Sequence, residues 1–150
     1  MSYSSKYVPR SLAPKDRRRQ LSMLRNSRNL YKKGKYYTRK KLKSFTSKKS
    51  NHVVRALHMY SLPHMVPSNE MVKKTGCSKK ILEQIVKKGE GAYYSSGSRP
   101  NQTAQSWAYA RLASAITGGP ASAVDYHLVS KCDPKKKAYQ LATRATKKKL

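Results

Sequence analysis

The stretch GEGAYYSSGSRPNQTAQSWAYARLASAITGG, residues 89–119, carries charge only at Glu90, Arg99 and Arg111. The sequence around it is densely cationic. A core needs side chains that leave water cheaply, and lysine-rich sequence does not supply them. The interior of this chain therefore has to form in and around this stretch. Within it, Asn101 or Thr103 is placed to open a helix over AQSWAYARLASAIT, and Gly118, Gly119 and Pro120 end it. Trp107, Ala108, Ala110, Leu112, Ala113, Ala115 and Ile116 nearly encircle that helix. A helix apolar on most sides is buried on most sides. Arg111 is the exception, and is expected to reach a carboxylate such as Asp125, a carbonyl or a phosphate. The preceding GEGAYYSSGSRPNQT is rich in turn formers and reads as a loop anchored by Tyr93 and Tyr94.

The 150 residues include 34 Lys and Arg against 6 Asp and Glu, a formal net charge of +28. Such an excess goes beyond what solubility requires and implies an anionic partner: nucleic acid, an anionic membrane face or acidic surfaces in a large assembly. Residues 1–60 hold 18 basic residues and the single acid Asp16; residues 61–134 hold 9 against 5; residues 135–150 hold 7 against none. This divides the chain into a basic N-terminal arm with an amphipathic helix (1–50), a helical body (51–132) and a basic C-terminal tail (133–150). Polycationic arms of this kind order on a partner.

Cys77 and Cys132 stand alone, with no CxxC and no histidine cluster beside them. They read as thiols of a reducing compartment, with neither a disulfide framework nor a zinc site, although a lone Cys77–Cys132 pairing stays open. No apolar run approaches the ~18 residues of a membrane span, and MSYSSKYVPR lacks a signal core. The expectation is a soluble or peripheral protein made in the cytosol.

The periodicity elsewhere is helical, so the expected fold class is mainly α. Pro14 opens a helix with Leu21, Leu24, Arg28 and Tyr31 on one stripe, Arg17, Arg18, Arg25 and Lys32 on the other face, and Gly34 at its end. Thr38 is placed to cap a short helix, RKKLKSF, showing Leu42 and Phe45 to the core. Ser50 or Asn51 opens HVVRALHMYSL, with Val53, Val54, Leu57 and Tyr60 apolar and Pro63 as its stop. Residues 68–89 then give two short helices joined by TGCS, the second capped by Ser78 and ended by Gly89. Val72, Gly76, Leu82 and Ile85 occupy the positions that lock a helix-turn-helix, and the segment resembles one. Its second helix would present Lys79, Lys80, Glu83, Gln84, Lys87 and Lys88, with the lysines on phosphates and Gln84 suited to adenine.

The run KKGEGAYYSSGSRPNQTAQSWAYARLASAITGG, with ASAVDYHLV after it, resembles a family of uncharacterised proteins from large double-stranded DNA viruses, particularly algal ones, over about residues 73–128. The resemblance implies a viral protein packaged in the virion, and it carries over no catalytic residue. The tail PKKKAYQLATRATKKKL is a basic low-complexity segment; QLATRA looks like a fragment of a histone tail without a histone fold around it.

Little here resembles an active site. The six acids are scattered, and His52, His58 and His64 straddle Pro63. A triad of Cys77, His127 and Asp125 can be written down, but Asp125 and His127 are poorly spaced for it. GEGAYYSSGS lacks the GK[ST] of a phosphate-binding loop. The expected protein is non-enzymatic, with no cofactor, metal or small-molecule substrate. It is expected in the virion as a minor capsid protein, its arms bridging other capsid proteins and facing DNA or an anionic membrane surface. The alternative is a nucleic-acid-binding protein, either genome-compacting or of helix-turn-helix type. The expected anion contacts are Arg17, Arg18, Arg25, Lys79, Lys80, Gln84, Lys87, Lys88, Arg99 and Arg111; the expected core is Leu82, Ile85, Trp107, Leu112 and Ile116.

Overall fold

The computed structural model describes residues 3–149. The protein is mainly α: among the described residues there are eight helices and no strand. In chain order they are α1 (Pro14–Lys32), α2 (Asn51–Met59), α3 (Asn69–Thr75), α4 (Lys79–Ser95), α5 (Ala104–Ile116), α6 (Pro120–Val124), α7 (Tyr126–Val129) and α8 (Lys137–Lys149). They divide into two compact units. One takes the chain up to Lys48 together with Glu90–Trp107; the other takes Lys49–Gly89 and the chain from Ala108 onward.

The helix ends follow local chemistry. Pro14 stands at the start of α1, with Asp16 in its first turn and Lys32 in its last, an order that complements the helix dipole. Ser68 accepts a hydrogen bond from the Met71 N–H at the start of α3 (3.2 Å), and Ser78 does the same for Ile81 at the start of α4 (3.3 Å). Thr103, not Asn101, opens α5: Thr103 Oγ1 accepts from Ser106 N (3.1 Å) and Thr103 N donates to Ser106 Oγ (2.9 Å). This is the reciprocal capping arrangement, with serine in the usual place of Glu or Gln.

The unit from Lys49 holds the larger core. Met71, Leu82, Ile85, Leu112, Ile116 and Val129 are fully buried, and Ala113, Ala115, Ala138 and Ala142 are sealed among them. Four of the five expected core residues are thus in place; Trp107 is not among them. It belongs to the other unit, half-buried, with its ring edge-to-face on Tyr7 at 6.1 Å. On α2 and just past its end, Val53, Leu57 and Tyr60 pack on this core as expected, joined by the fully buried Ala56, while Val54 is 48% exposed.

The expected loop at GEGAYYS is helix. The second helix of the hairpin does not stop at Gly89 but runs on to Ser95. Glycine serves packing here, because a Cβ on Gly89 would lie 2.6 Å from the Ala108 Cα. The missing side chain lets α4 and α5 meet backbone to backbone, and that packing outweighs glycine's low helix propensity. The tail also differs from expectation. Residues 137–149 form α8 rather than an extended arm, since Ala138 and Ala142 are fully buried and α8 packs on α6 and α7.

The unit containing α1 has a small core of Leu12, Met23 and Leu42, flanked by Val8, Tyr37 and Phe45. RKKLKSF is not helical. Asn101 takes its backbone groups instead, accepting from Leu42 N (2.7 Å) and donating to Leu42 O (3.2 Å) and Phe45 O (2.8 Å). A short helix crowded with lysines has little to offset that competition. Tyr93, expected as an anchor, is fully buried, and Arg39 is only 6% exposed. The Arg39 guanidinium lies over the Tyr93 ring (3.8 Å) and donates to Ser27 Oγ (2.8 Å), Tyr93 O (2.9 Å) and Ser98 Oγ (2.9 Å). Burial pulls its pKa below the ordinary arginine value. Neutral acceptors and a ring face take the place of a counter-ion.

Cys77 and Cys132 are joined as a disulfide, which corrects the reading of two free thiols. Sequence spacing offers no hint, because the bridge forms where the α3–α4 turn docks on the chain after α7, with Asp133 N donating to Gly76 O (2.9 Å). For a sequence separation of 55, loop entropy puts the stabilisation at about 4 kcal/mol. Reduction, or Cys77→Ser with Cys132→Ser, is expected to lower the unfolding free energy by about 2–4 kcal/mol in urea titrations. Equal midpoints with and without reductant would show that the bridge adds nothing.

Tyr60 is buried and donates to Ile116 O (2.5 Å), and burial pushes its pKa up to about 12. The folded state thus favours the neutral phenol, so this contribution is complete below the unfolded value near 10 and fades as pH rises from there through 12. Tyr60→Phe is expected to flatten the fall in stability between about pH 10 and 12. An unchanged alkaline melting profile would refute the assignment.

Candidate nucleic-acid interface

The α3–α4 hairpin turns at Gly76, whose φ of 75° lies in the left-handed region that glycine adopts without strain. Leu82 and Ile85 are fully buried behind the turn, and Val72 is half-buried. With that face held inside, Lys79, Lys80, Glu83, Gln84, Lys87 and Lys88 are all exposed on α4. The expected lysine face therefore exists on one side of one helix. Its last member is the most constrained: Lys88 Nζ lies 3.0 Å from His127 Nε2 and 3.7 Å from Asp125 Oδ1.

A lysine of the tail packs at the turn that leads into this face, a contact that no local sequence pattern signals. A Cβ on Gly76 would lie 2.6 Å from Lys136 Cγ and 2.8 Å from Asp133 Cβ. The segment Lys135–Lys137 therefore abuts the turn that precedes Lys79 and Lys80, and the disulfide and the Asp133–Gly76 hydrogen bond pin it there. Elsewhere in the same unit an open groove of about 660 Å³ is lined by Arg55, Arg144 and Lys148 over Val124 and Leu141. Arg144 and Lys148 are one turn apart on α8, but Arg55 comes from α2, so only the tertiary packing brings the three to one groove.

The other unit carries its own cations. Arg17, Arg18 and Arg25 are exposed on α1, whose inward face is Gln20, Met23, Leu24 and Ser27. Arg99 is exposed as well.

Arg111 stands apart from the other expected contacts. Its Nε and Nη2 donate to the two oxygens of Asp125, both at 2.8 Å, and that hydrogen-bonded pairing raises its pKa. Asp125 is fully buried. The guanidinium is thus taken up by a structural clamp between α5 and the α6–α7 junction, as the carboxylate option for Arg111 anticipated. The same clamp, with the disulfide, dismantles the Cys77–His127–Asp125 triad: the sulfur is bonded to Cys132 and the carboxylate to Arg111.

Four of the six acids, in contrast, are engaged within the fold. Asp16 accepts from Ser44 N (3.0 Å) and Ser44 Oγ (2.6 Å), hydrogen bonds that hold its carboxyl below the usual value. Glu70 pairs with Lys74 at 2.7 Å, Asp125 with Arg111, and Asp133 Oδ1 accepts from Lys135 N (2.9 Å). With only Glu83 and Glu90 besides these, cations far outnumber acids at the surface. Among the described residues no three His, Cys, Asp or Glu side chains come together as a metal site, and no helix is long and apolar enough to cross a membrane.

These features describe an all-α protein with a stapled helical hairpin and a strongly cationic surface. The chain belongs to a family of unknown function, DUF5824, whose model matches residues 5–138. No curated protein and no solved structure matches it.

If the Arg111–Asp125 clamp is structural, Arg111→Met should leave a buried carboxylate poorly paired and cost about 3–5 kcal/mol in thermal denaturation. Lys87→Gln, at an exposed position on α4, should change stability by no more than about 0.5 kcal/mol. Equal effects of the two substitutions would refute the distinction.

Proposed function

We propose that this protein is a non-enzymatic DNA-binding protein that engages duplex DNA through its phosphates. In the setting implied by the viral resemblance, the ligand is the genome of a large double-stranded DNA virus and the site of action is the virion. The observation that carries the reading is the mismatch of charge: 34 basic residues face 6 acids, and Asp16, Glu70, Asp125 and Asp133 are already engaged within the fold. Such a surface gains free energy from any dense polyanion, by releasing its condensed counterions. The hairpin supplies the most organised part of that surface, with Lys79 and Lys80 following a turn against which Lys136 packs. Gln84, also exposed on α4, is the side chain there with adenine-pairing chemistry.

A minor capsid protein bridging other capsid components through its arms is the second reading, favoured by the two cationic termini. The burial of Met23 and Leu24 on α1, and of Ala138 and Ala142 on α8, supports DNA over that role. Segments that close their own fold have less to offer a neighbour as free arms.

The test is binding of random-sequence duplex DNA across about 50–300 mM salt. A protein covering about 6–10 phosphates loses about 10³–10⁵ in affinity between 50 and 200 mM. Replacing Lys79, Lys80, Lys135 and Lys136 by Gln should lower the logarithmic salt slope by about 3–4 while leaving thermal stability nearly unchanged. An unaltered slope would remove this face from the interface. No binding at the lowest salt would overturn the proposal.

A further inference from the structure

Three tyrosines gather in the unit that contains α1. Tyr31 lies in the last turn of that helix, Tyr36 just beyond its end, and Tyr94 in the last turn of α4. The Tyr31 and Tyr94 rings are parallel to within 11° at a centroid distance of 6.0 Å. Tyr36 is tilted against both, 6.1 Å from Tyr31 and 5.1 Å from Tyr94. Aromatic clusters ordinarily hide their faces in a core, yet Tyr36 is 72% exposed.

The cluster is held in place. The end of α1 closes with Gly34 N donating to Tyr31 O (2.9 Å) and Lys35 N to Leu30 O (2.9 Å), with Gly34 at a φ of 77°. That paired closure returns the chain sharply, so that Tyr36 lands beside Tyr31. Tyr94 in turn follows Tyr93, which is fully buried and packs edge-to-face on it at 5.1 Å. The exposed ring is therefore mounted on two helix ends and a buried neighbour, and little conformational entropy remains to be lost when something stacks on it.

The charge around the cluster identifies the occupant. Lys32, Lys33 and Lys35 are all exposed and flank Tyr31 and Tyr36 in sequence, while Glu90 lies one turn before Tyr94 on α4. An exposed flat aromatic surface with a rim rich in lysine matches a planar base joined to a phosphate. In a duplex the base faces are covered by their neighbours, whereas in a single strand they are open to such a ring.

We propose that Tyr36, backed by Tyr31 and Tyr94, is a stacking platform for unpaired nucleobases, so that the protein holds single-stranded nucleic acid as well as duplex. This deepens the DNA-binding reading and rests on it for the phosphate contacts. It assigns base contact to a site remote in sequence from the α3–α4 hairpin.

The experiment measures the full chain and its Tyr36→Ala and Tyr36→Phe variants on two probes, an oligothymidylate of about 20 nucleotides and a random duplex of similar length. Tyr36→Ala is expected to weaken oligothymidylate binding about 5- to 100-fold, the range for loss of one stacked base. Duplex affinity and the salt slope on both probes should change by less than about twofold, because no phosphate contact is lost. Tyr36→Phe keeps the ring and should bind the oligothymidylate like the unaltered protein. Unchanged oligothymidylate binding by Tyr36→Ala would overturn the platform, and so would equal weakening on both probes. Absence of duplex binding with Tyr36-dependent oligothymidylate binding would sink the duplex reading and leave the platform standing. Absence of binding to either probe would sink both.

Discussion

Self-repulsion among uncompensated cations is the constraint to which the rest of the structure answers. A net charge of +28 on 150 residues opposes any compact state. The fold accommodates it by keeping most cations at the surface and building its interior from small or neutral side chains. Where α4 and α5 cross, glycine and alanine meet almost backbone to backbone at Gly89 and Ala108. Buried alanines do the same for α8. Close approach of this kind obtains dispersion contacts from few atoms, which suits a chain with a limited supply of large apolar residues. The Cys77–Cys132 bridge adds a covalent restraint that no charge can screen.

Arg39 and Arg111 are the cations drawn furthest inward, and they are accommodated differently. Arg111 has a full counter-ion in Asp125, in bidentate geometry. Arg39 is satisfied by serine hydroxyls, a carbonyl and the face of Tyr93. Each ties together segments distant in sequence. Their planar, multi-donor guanidinium suits that role better than the point charge of lysine. The division of labour follows: these arginines organise the interior, and lysines dominate the hairpin face and the rim of the tyrosine cluster.

The features legible in the sequence were those governed by local rules. The extents of α1 and α3, the caps at Ser68 and Ser78, the turn at Gly76 and the buried pair Leu82 and Ile85 follow from short-range chemistry and helical period. The outward lysines of α4 follow from the same period. The misreadings came where tertiary contacts overrode local preference. Gly89 reads as the end of a helix until Ala108 is placed beside it. The 39–45 segment reads as a helix until Asn101 takes its backbone groups. The tail reads as a free polycation until α6 and α7 are there to cover its alanines.

The sequence by itself determined that this would be a mainly helical, strongly basic protein whose interior centres on its low-charge stretch, because composition and apolar period depend on residue type and near neighbours alone. Only the tertiary structure decided which cations share a face, which two cysteines join, and which tyrosine is left in the open. Those are meetings of residues tens of positions apart. Their partners are chosen by packing and by the need to satisfy buried polar groups, and neither is encoded in any single window of the chain.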